Sequence, residues 1–233
     1  MNEPLNLYTQ GQVLLVDKPL YWTSFDVVRK IRYLTKTKKV GHAGTLDPLA
    51  TGLLIVCTGA FTKKINEYMA QEKEYTGTIT LGATTPTYDL ESTPENFKSF
   101  DGITTENIQA ATQSFTGAIL QVPPIHSAIK QGGKRAYSMA RQGIDVKLEP
   151  RAVTIWAFEI VGIALPEVHF KIVCSTGTYI RSIANDFGAA LGCGGYLSRL
   201  CRTRIGTFSN THALSMEQWE EKIKSDLEGI RNA

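Results

Sequence analysis

Apolar residues change their spacing along this chain, and each change marks an element. Gln12 to Asp17 reads as a strand. Val27, Val28, Ile31 and Leu34 then recur at helical spacing, behind Thr23 or Ser24, either of which can cap a helix. Gly41 to Gly52 is a glycine-rich loop, followed by a buried strand, Leu53 to Thr58, and a helix near Phe61 to Ala70. Thr76, Ile79, Thr80 and Leu81 predict a strand, Thr84 to Gly102 a polar excursion, and Thr104 the cap of another helix. Pro123 and Pro124 break any regular element. Beyond them, Lys130 to Arg135 with its two glycines and a short helix over Ala136 to Gln142, stopped by Gly143, predict a mobile basic loop. Arg151 to Ile163 and Val168 to Ser175 are rich in β-branched residues and should pair. Thr178 to Leu191 reads as a helix, Tyr196 to Phe208 as extended, and Met216 to Ile230 as a polar amphipathic helix.

Strands and helices mix without strict βαβ alternation, which favours an α+β fold around one mixed or antiparallel sheet. A length of 233 residues suits one large domain, or one domain with a modest insertion. The apolar run Leu53 to Cys57 is far short of the roughly 20 residues that span a bilayer. Met1 to Gln12 lacks the basic and apolar regions of an export signal. A protein of the cytoplasm is therefore expected. Cys57, Cys174, Cys193 and Cys201 form no CxxC pair, so reduced thiols are expected and structural zinc is a poor fit.

The net charge of +3 decides little, but its distribution does. Between Asp26 and Glu67 eight basic residues (Arg29, Lys30, Arg32, Lys36, Lys38, Lys39, Lys63, Lys64) surround a single acid, Asp47. No acid lies between Glu106 and Asp145, or between Asp186 and Glu217, although both stretches carry Lys or Arg. If these blocks converge they form a face for a polyanion, since each neutralised phosphate releases counterions. Otherwise they are a solvated surface of mixed charge.

Two segments carry candidate chemistry. In Gly41-His42-Ala43-Gly44-Thr45-Leu46-Asp47-Pro48-Leu49-Ala50-Thr51-Gly52, the glycines let backbone approach a ligand, and an Asp isolated among cations is a candidate nucleophile or base. The plainer reading is an Asp that caps a turn ahead of Pro48. His42 with Asp47 lacks a further His or Cys at metal-ligand spacing. In Ser175-Thr176-Gly177-Thr178-Tyr179-Ile180-Arg181 a strand leads into a helix whose first turn presents a ring that can stack and a guanidinium that can pair with a carboxylate. The plainer reading there is Thr178 as a cap and Arg181 on the surface. Tyr75 is equally compatible with an ordinary strand aromatic.

The loop from Gly41 to Leu54 strongly resembles the catalytic motif of the TruB family, the tRNA pseudouridine-55 synthases. Supporting blocks follow in the family's order: Lys18-Pro19 with Thr23-Ser24; Lys73 to Gly77 running to Leu81-Gly82 and Thr87-Tyr88-Asp89; Gln121-Val122-Pro123-Pro124 with Ser127 to Lys130; Cys174 to Arg181; and Leu200-Cys201-Arg202-Thr203 with Gly206 and Phe208. The similarity covers nearly the whole chain. It implies the pseudouridine synthase fold, a central mixed, mostly antiparallel sheet flanked by helices, in a single catalytic domain over 1–233 with a thumb loop inserted at about 122–150.

The resemblance also implies isomerisation of one uridine in the T arm of tRNA to pseudouridine, without metal or organic cofactor. Asp47 would break the glycosidic bond, either by attack on the sugar or by assisting loss of the 2′ proton. Tyr75 would stack on the flipped base and serve C5 deprotonation, and Arg181 would pair with Asp47. His42 would fill space vacated in the RNA, Tyr179 and Leu200 would line the pocket, and Lys18, Lys130 and Arg141 would contact the substrate. The expected partner is the tRNA T-arm stem-loop, bound by a monomer without an obligate protein partner or a membrane. Two features depart from the family. Position 126 is His where Tyr is usual, and the chain ends on a short acidic helix where many relatives continue into an RNA-binding domain. Recognition confined to the T arm is the expectation that follows. An RNA-binding or RNA-folding module in which catalysis is incidental is the main rival reading; a guide-RNA particle subunit and a glycoside hydrolase, which needs two carboxylates, are others.

Overall fold

The computed structural model of the chain describes residues 6–125, 127, 130–131, 134–135 and 148–231, with backbone alone at 130–131, 134–135 and 230–231. In chain order the elements begin with α1 (Leu7–Gln10), β1 (Val13–Lys18), α2 (Ser24–Thr35), β2 (Val40–His42) and β3 (Ala50–Thr58). A 3-10 turn (Gly59–Lys64) leads into α3 (Ile65–Ala70), then β4 (Lys73–Leu81), α4 (Thr105–Gln113) and β5 (Gly117–Gln121). The two-residue strands β6 (Lys130–Gln131) and β7 (Lys134–Arg135) pair with each other. There follow β8 (Arg151–Ala164), β9 (Glu167–Cys174), α5 (Ile180–Ala190), β10 (Gly195–Ile205), β11 (Phe208–Ser209) and α6 (Met216–Arg231). The protein is α+β. It divides into two compact units, residues 1–75 with 200–233 and residues 76–199, and β4 and β10 pass from one to the other.

In the first unit β3 is the central strand. It runs antiparallel to β1, Val13 opposite Cys57 and Lys18 opposite Gly52, and parallel to the end of β10, Leu200 opposite Ala50. Leu54 and Val56 point to one face, where Leu14, Val16, Val27, Val28 and Ile31 pack with Trp219 and Ile223 of α6. Leu53, Ile55 and Cys57 point to the other, against Ile205, Phe61 and Phe208. A strand covered on both faces must be apolar at every position, which is why this run shows no alternation. Each such side chain contributes about 1.5–3 kcal/mol on burial. α2 starts on Thr23, whose hydroxyl accepts from Asp26 N–H while the Asp26 carboxylate accepts from Thr23 N–H. Ser24, the other candidate cap, turns inward instead.

In the second unit β9 alternates half-buried and buried residues, as a strand with one covered face should. It forms a hairpin with β8, Ala164 opposite Glu167, and β8 pairs in turn with β5. Phe158 of β8 and Phe187 of α5, with ring centroids 5.4 Å apart, join Phe115 and Phe170 in the core between sheet and helices. Thr104 caps α4 in a box with Asn107. The polar stretch after β4 has no helix or long strand, only the isolated bridges Thr84 to Glu95 and Asp89 to Leu197. The expected helix over 136–142 and most of the expected thumb lie outside the described residues. Cys57, Cys174 and Cys193 are buried and Cys201 is half-buried.

Candidate active site

Residues 43–49 link β2 to β3, and Asp47 lies among them. Asp47 does open a turn, but its backbone closes that turn: Ala50 N–H donates to the Asp47 carbonyl at 3.0 Å. Three neighbours hold the loop in place. From α2, the buried Ser24 hydroxyl accepts from Leu46 N–H at 2.8 Å and donates to the Leu46 carbonyl at 3.1 Å, fixing the residue before Asp47. From the end of β1, Lys18 Nζ donates to the carbonyls of Trp22 (2.6 Å), Pro19 (2.9 Å) and Pro48 (3.4 Å). From β10, Arg202 donates through Nε to Leu53 (2.8 Å), Nη2 to Gly44 (3.1 Å) and Nη1 to Thr45 (3.4 Å). Gly52 lets β10 come this close. Its φ is +95°, and a Cβ there would stand 2.4 Å from the Arg202 carbonyl.

These contacts revise one expectation and add a residue to the site. Lys18 was expected to touch substrate, yet it has no exposed surface and its ammonium is engaged with backbone, so it organises the loop rather than reaching RNA. Burial pushes its pKa down to about 8, against the pull of the nearby Asp47 carboxylate. Arg202, noted only as part of a motif block, is a fully buried clamp on the loop. No alternation marked it in the sequence: Gly195, Leu197 and Ile205 are buried at odd positions of β10 and Arg202 at an even one.

His42 closes β2 opposite Val56 and is half-buried. Its Nδ1 is buried without a hydrogen-bond partner among the described residues. Burial first, then the Arg202 guanidinium, holds its pKa below 6.5, with a smaller opposing pull from the Gly44 backbone. The folded chain therefore resists a proton that the unfolded chain accepts. Stability should fall as pH drops below 6.5, down to the folded pKa, and His42→Asn should flatten that slope. Urea unfolding at about pH 7.5 and about pH 5.5 checks this; identical pH dependence in both proteins would contradict it. Leu200 pairs with Ala50, and its carbonyl accepts from the Thr51 hydroxyl at 3.4 Å, so it stands beside the end of the Asp47 loop. Tyr75, 9% exposed, is the third residue of β4, in the same unit.

The second unit holds Tyr179 and Arg181. Thr178 is not the helix cap: its hydroxyl donates to the Ser175 carbonyl at 2.9 Å, and Tyr179 occupies the cap position with extended backbone. Gln121 sets that residue. Its carboxamide accepts from Tyr179 N–H at 2.8 Å and donates to the Tyr179 carbonyl at 3.0 Å, which ties the end of β5 to the start of α5. Arg181 is not on the surface but buried. Its Nη1 donates to the Thr87 carbonyl at 3.2 Å and its Nε lies 3.6 Å from the Asp89 carboxylate. Two buried opposite charges demand each other, because either alone would be left desolvated. Asp89 and Gln121 went unrecognised as site residues because the partners that reveal them are distant in sequence. His126, Arg141 and the Lys130 side chain lie outside the described residues.

Comparison with known proteins agrees along nearly the whole chain. The model of the TruB family pseudouridylate synthase N-terminal domain matches residues 32–180, and that of the tRNA pseudouridylate synthase B C-terminal domain matches residues 181–229. A tRNA pseudouridine synthase B of Flavobacterium johnsoniae is 51% identical over 93% of this chain and 98% of its own. One of Phocaeicola vulgatus is 47% identical over 97% and 99%. Among solved structures, a chain of a Cbf5–Nop10–Gar1 complex superposes with a TM-score of 0.72 at 27% identity, over 92% of this chain and 54% of that one. A chain of an H/ACA ribonucleoprotein bound to a substrate RNA containing 2′-deoxyuridine gives 0.70 at 26% identity, over 94% and 55%. This chain thus spans about half the length of those solved neighbours.

Proposed function

The chain belongs to the TruB family of pseudouridylate synthases, and from that premise we propose that it acts on uridine 55 in the T loop of tRNA. It is a tRNA pseudouridine synthase. The reaction breaks the C1′–N1 bond of a uridine, turns the uracil, joins C1′ to C5, releases the C5 hydrogen as a proton and leaves N1 protonated, with no net oxidation. The observation that carries the assignment of roles is the loop at Asp47, whose backbone is held by Ser24, Lys18 and Arg202. Such anchoring fixes where the Asp47 side chain leaves the backbone, which is what preorganised catalysis requires.

In this reading the Asp47 carboxylate breaks the glycosidic bond, by attack at C1′ or by taking up the 2′ proton. Tyr75 stacks on the base and serves the loss of the C5 proton. Tyr179 and Leu200 line the pocket, and His42 fills the space the flipped nucleotide leaves. Flipping costs a few kcal/mol, offset by stacking and by contacts to the RNA backbone. Lys130 and Arg141 lie in an acid-free stretch suited to phosphates. The enzyme works in the cytoplasm as a monomer on the T arm, without an obligate protein partner. Among the described residues no helix is long and apolar enough to cross a membrane.

A tRNA transcript whose uridines carry tritium at C5 tests this. The expected result is release of one equivalent of tritium per tRNA, and none from a transcript with cytidine at position 55. Equal release from both would place the reaction elsewhere.

A further inference from the structure

The outer face of α2 has no role in the chemistry above, yet its composition is unusual for a solvated helix. Tyr21, Phe25, Arg29 and Tyr33 follow one another at intervals of four residues, and the three rings are 75%, 60% and 78% exposed. Within α2 that spacing puts Phe25, Arg29 and Tyr33 in one stripe, and Tyr21 stands just ahead of the helix. Arg32, Lys36, Lys38 and Lys39 are exposed alongside it, and the chain has no acid between Asp26 and Asp47. Tyr21, Trp22, Asp26, Arg29, Lys30 and Tyr33 line a groove of about 570 Å³. Two of the cations are engaged in part, Arg29 with Asp26 at 2.8 Å and Lys30 with Glu220 at 2.6 Å. Such pairs at a surface contribute little and can exchange for a phosphate.

We propose that this face of α2 is a second RNA contact, which holds a segment of the substrate other than the target nucleotide, with rings stacked on bases or riboses and cations on phosphates. The inference rests on the RNA-modifying reading above. Aromatic rings interleaved with cations are what single-stranded or looped RNA requires, because every base offers a stacking face and every linkage a charge. A protein partner of ordinary apolar character is a poorer fit to a face on which Arg29, Lys30, Arg32, Lys36, Lys38 and Lys39 outnumber Asp26 and Glu220. Its position also fits: Tyr21 N–H donates to the Pro48 carbonyl at 2.8 Å, so the stripe starts beside the residue that follows Asp47. RNA with one nucleotide at Asp47 would continue onto it.

The test compares wild type with Tyr33→Ala and Arg29→Gln, singly and together, using a full tRNA transcript. Equilibrium binding is read by filter retention over a range of salt, and tritium release is read at saturating RNA. We expect Kd and KM to rise about tenfold for the double variant, a shallower salt dependence, near-wild-type turnover at saturation, and recovery of affinity in Tyr33→Phe. Unchanged Kd and salt slope in the double variant would overturn the proposal, as would a change in sedimentation without a change in RNA affinity, which would mark the face as a contact between copies. Wild-type turnover in the same series separates the two readings: if wild type binds but releases no tritium, the catalytic assignment fails, whatever α2 does.

Discussion

Asp47→Asn leaves tRNA bound and unmodified. The substitution keeps the side chain's size and leaves the turn intact, because that turn is closed by the Asp47 backbone carbonyl and the loop is anchored through Leu46, Pro48, Gly44 and Thr45. What it removes is the carboxylate. An amide neither attacks C1′ nor accepts the 2′ proton, so both routes fail together. Tritium release should fall by on the order of 10⁴-fold or more, the scale seen when a nucleophile or its base is deleted. Affinity for tRNA should stay within about threefold, because binding is distributed over phosphate and stacking contacts. A variant that retains a tenth of the wild-type rate would remove Asp47 from the chemistry.

Arg202→Met should cost both stability and rate. Three backbone carbonyls depend on that guanidinium, and at 1% exposure no water can replace it. A buried acceptor without a donor costs about 1–3 kcal/mol, and relief of a desolvated charge returns part of the sum, so a net loss of about 3 kcal/mol is expected. Urea unfolding measures it. Activity should fall further than the unfolded fraction explains. The Gly44 and Thr45 carbonyls lie just ahead of Asp47, and an ångström of misplacement at a reacting group is worth about 100-fold. Arg202→Lys, which keeps the charge but not the fork, should recover part of the stability and little of the rate. Wild-type turnover by a folded Arg202→Met protein would show that β10 does not aim the loop.

Much of this was legible in the residues, for physical reasons that differ by element. α2 announced itself through Val27, Val28 and Ile31, which bury one stripe, and through Thr23 with Asp26, which satisfy the first amides. β3 showed as an unbroken apolar run because both its faces are covered. The hairpin of β8 and β9 followed from its branched residues and alternation. β5 was missed, since Gly117 to Gln121 has neither length nor clear alternation and is a strand only because β8 lies beside it. The expected helix near Phe61 to Ala70 is α-helical only from Ile65, its start lying in the 3-10 turn Gly59–Lys64.

The site divides in the same way. Asp47 stood out because it is an acid isolated among cations in a loop of glycines. Ser24, Arg202, Asp89 and Gln121 did not, because each acts on a backbone or side-chain partner far along the chain, from 22 residues for Ser24 to 158 for Arg202. Periodicity records which face a side chain takes. It does not record which carbonyl lies there.

The most direct measurement of the central claim is carbodiimide labelling and primer extension on an unmodified tRNA transcript incubated with the wild-type protein or with Asp47→Asn, without added cofactor. The account predicts a single stop, at the T-loop uridine, with wild type alone. Stops at other uridines, a stop with Asp47→Asn, or no stop despite tight binding of the RNA would contradict it.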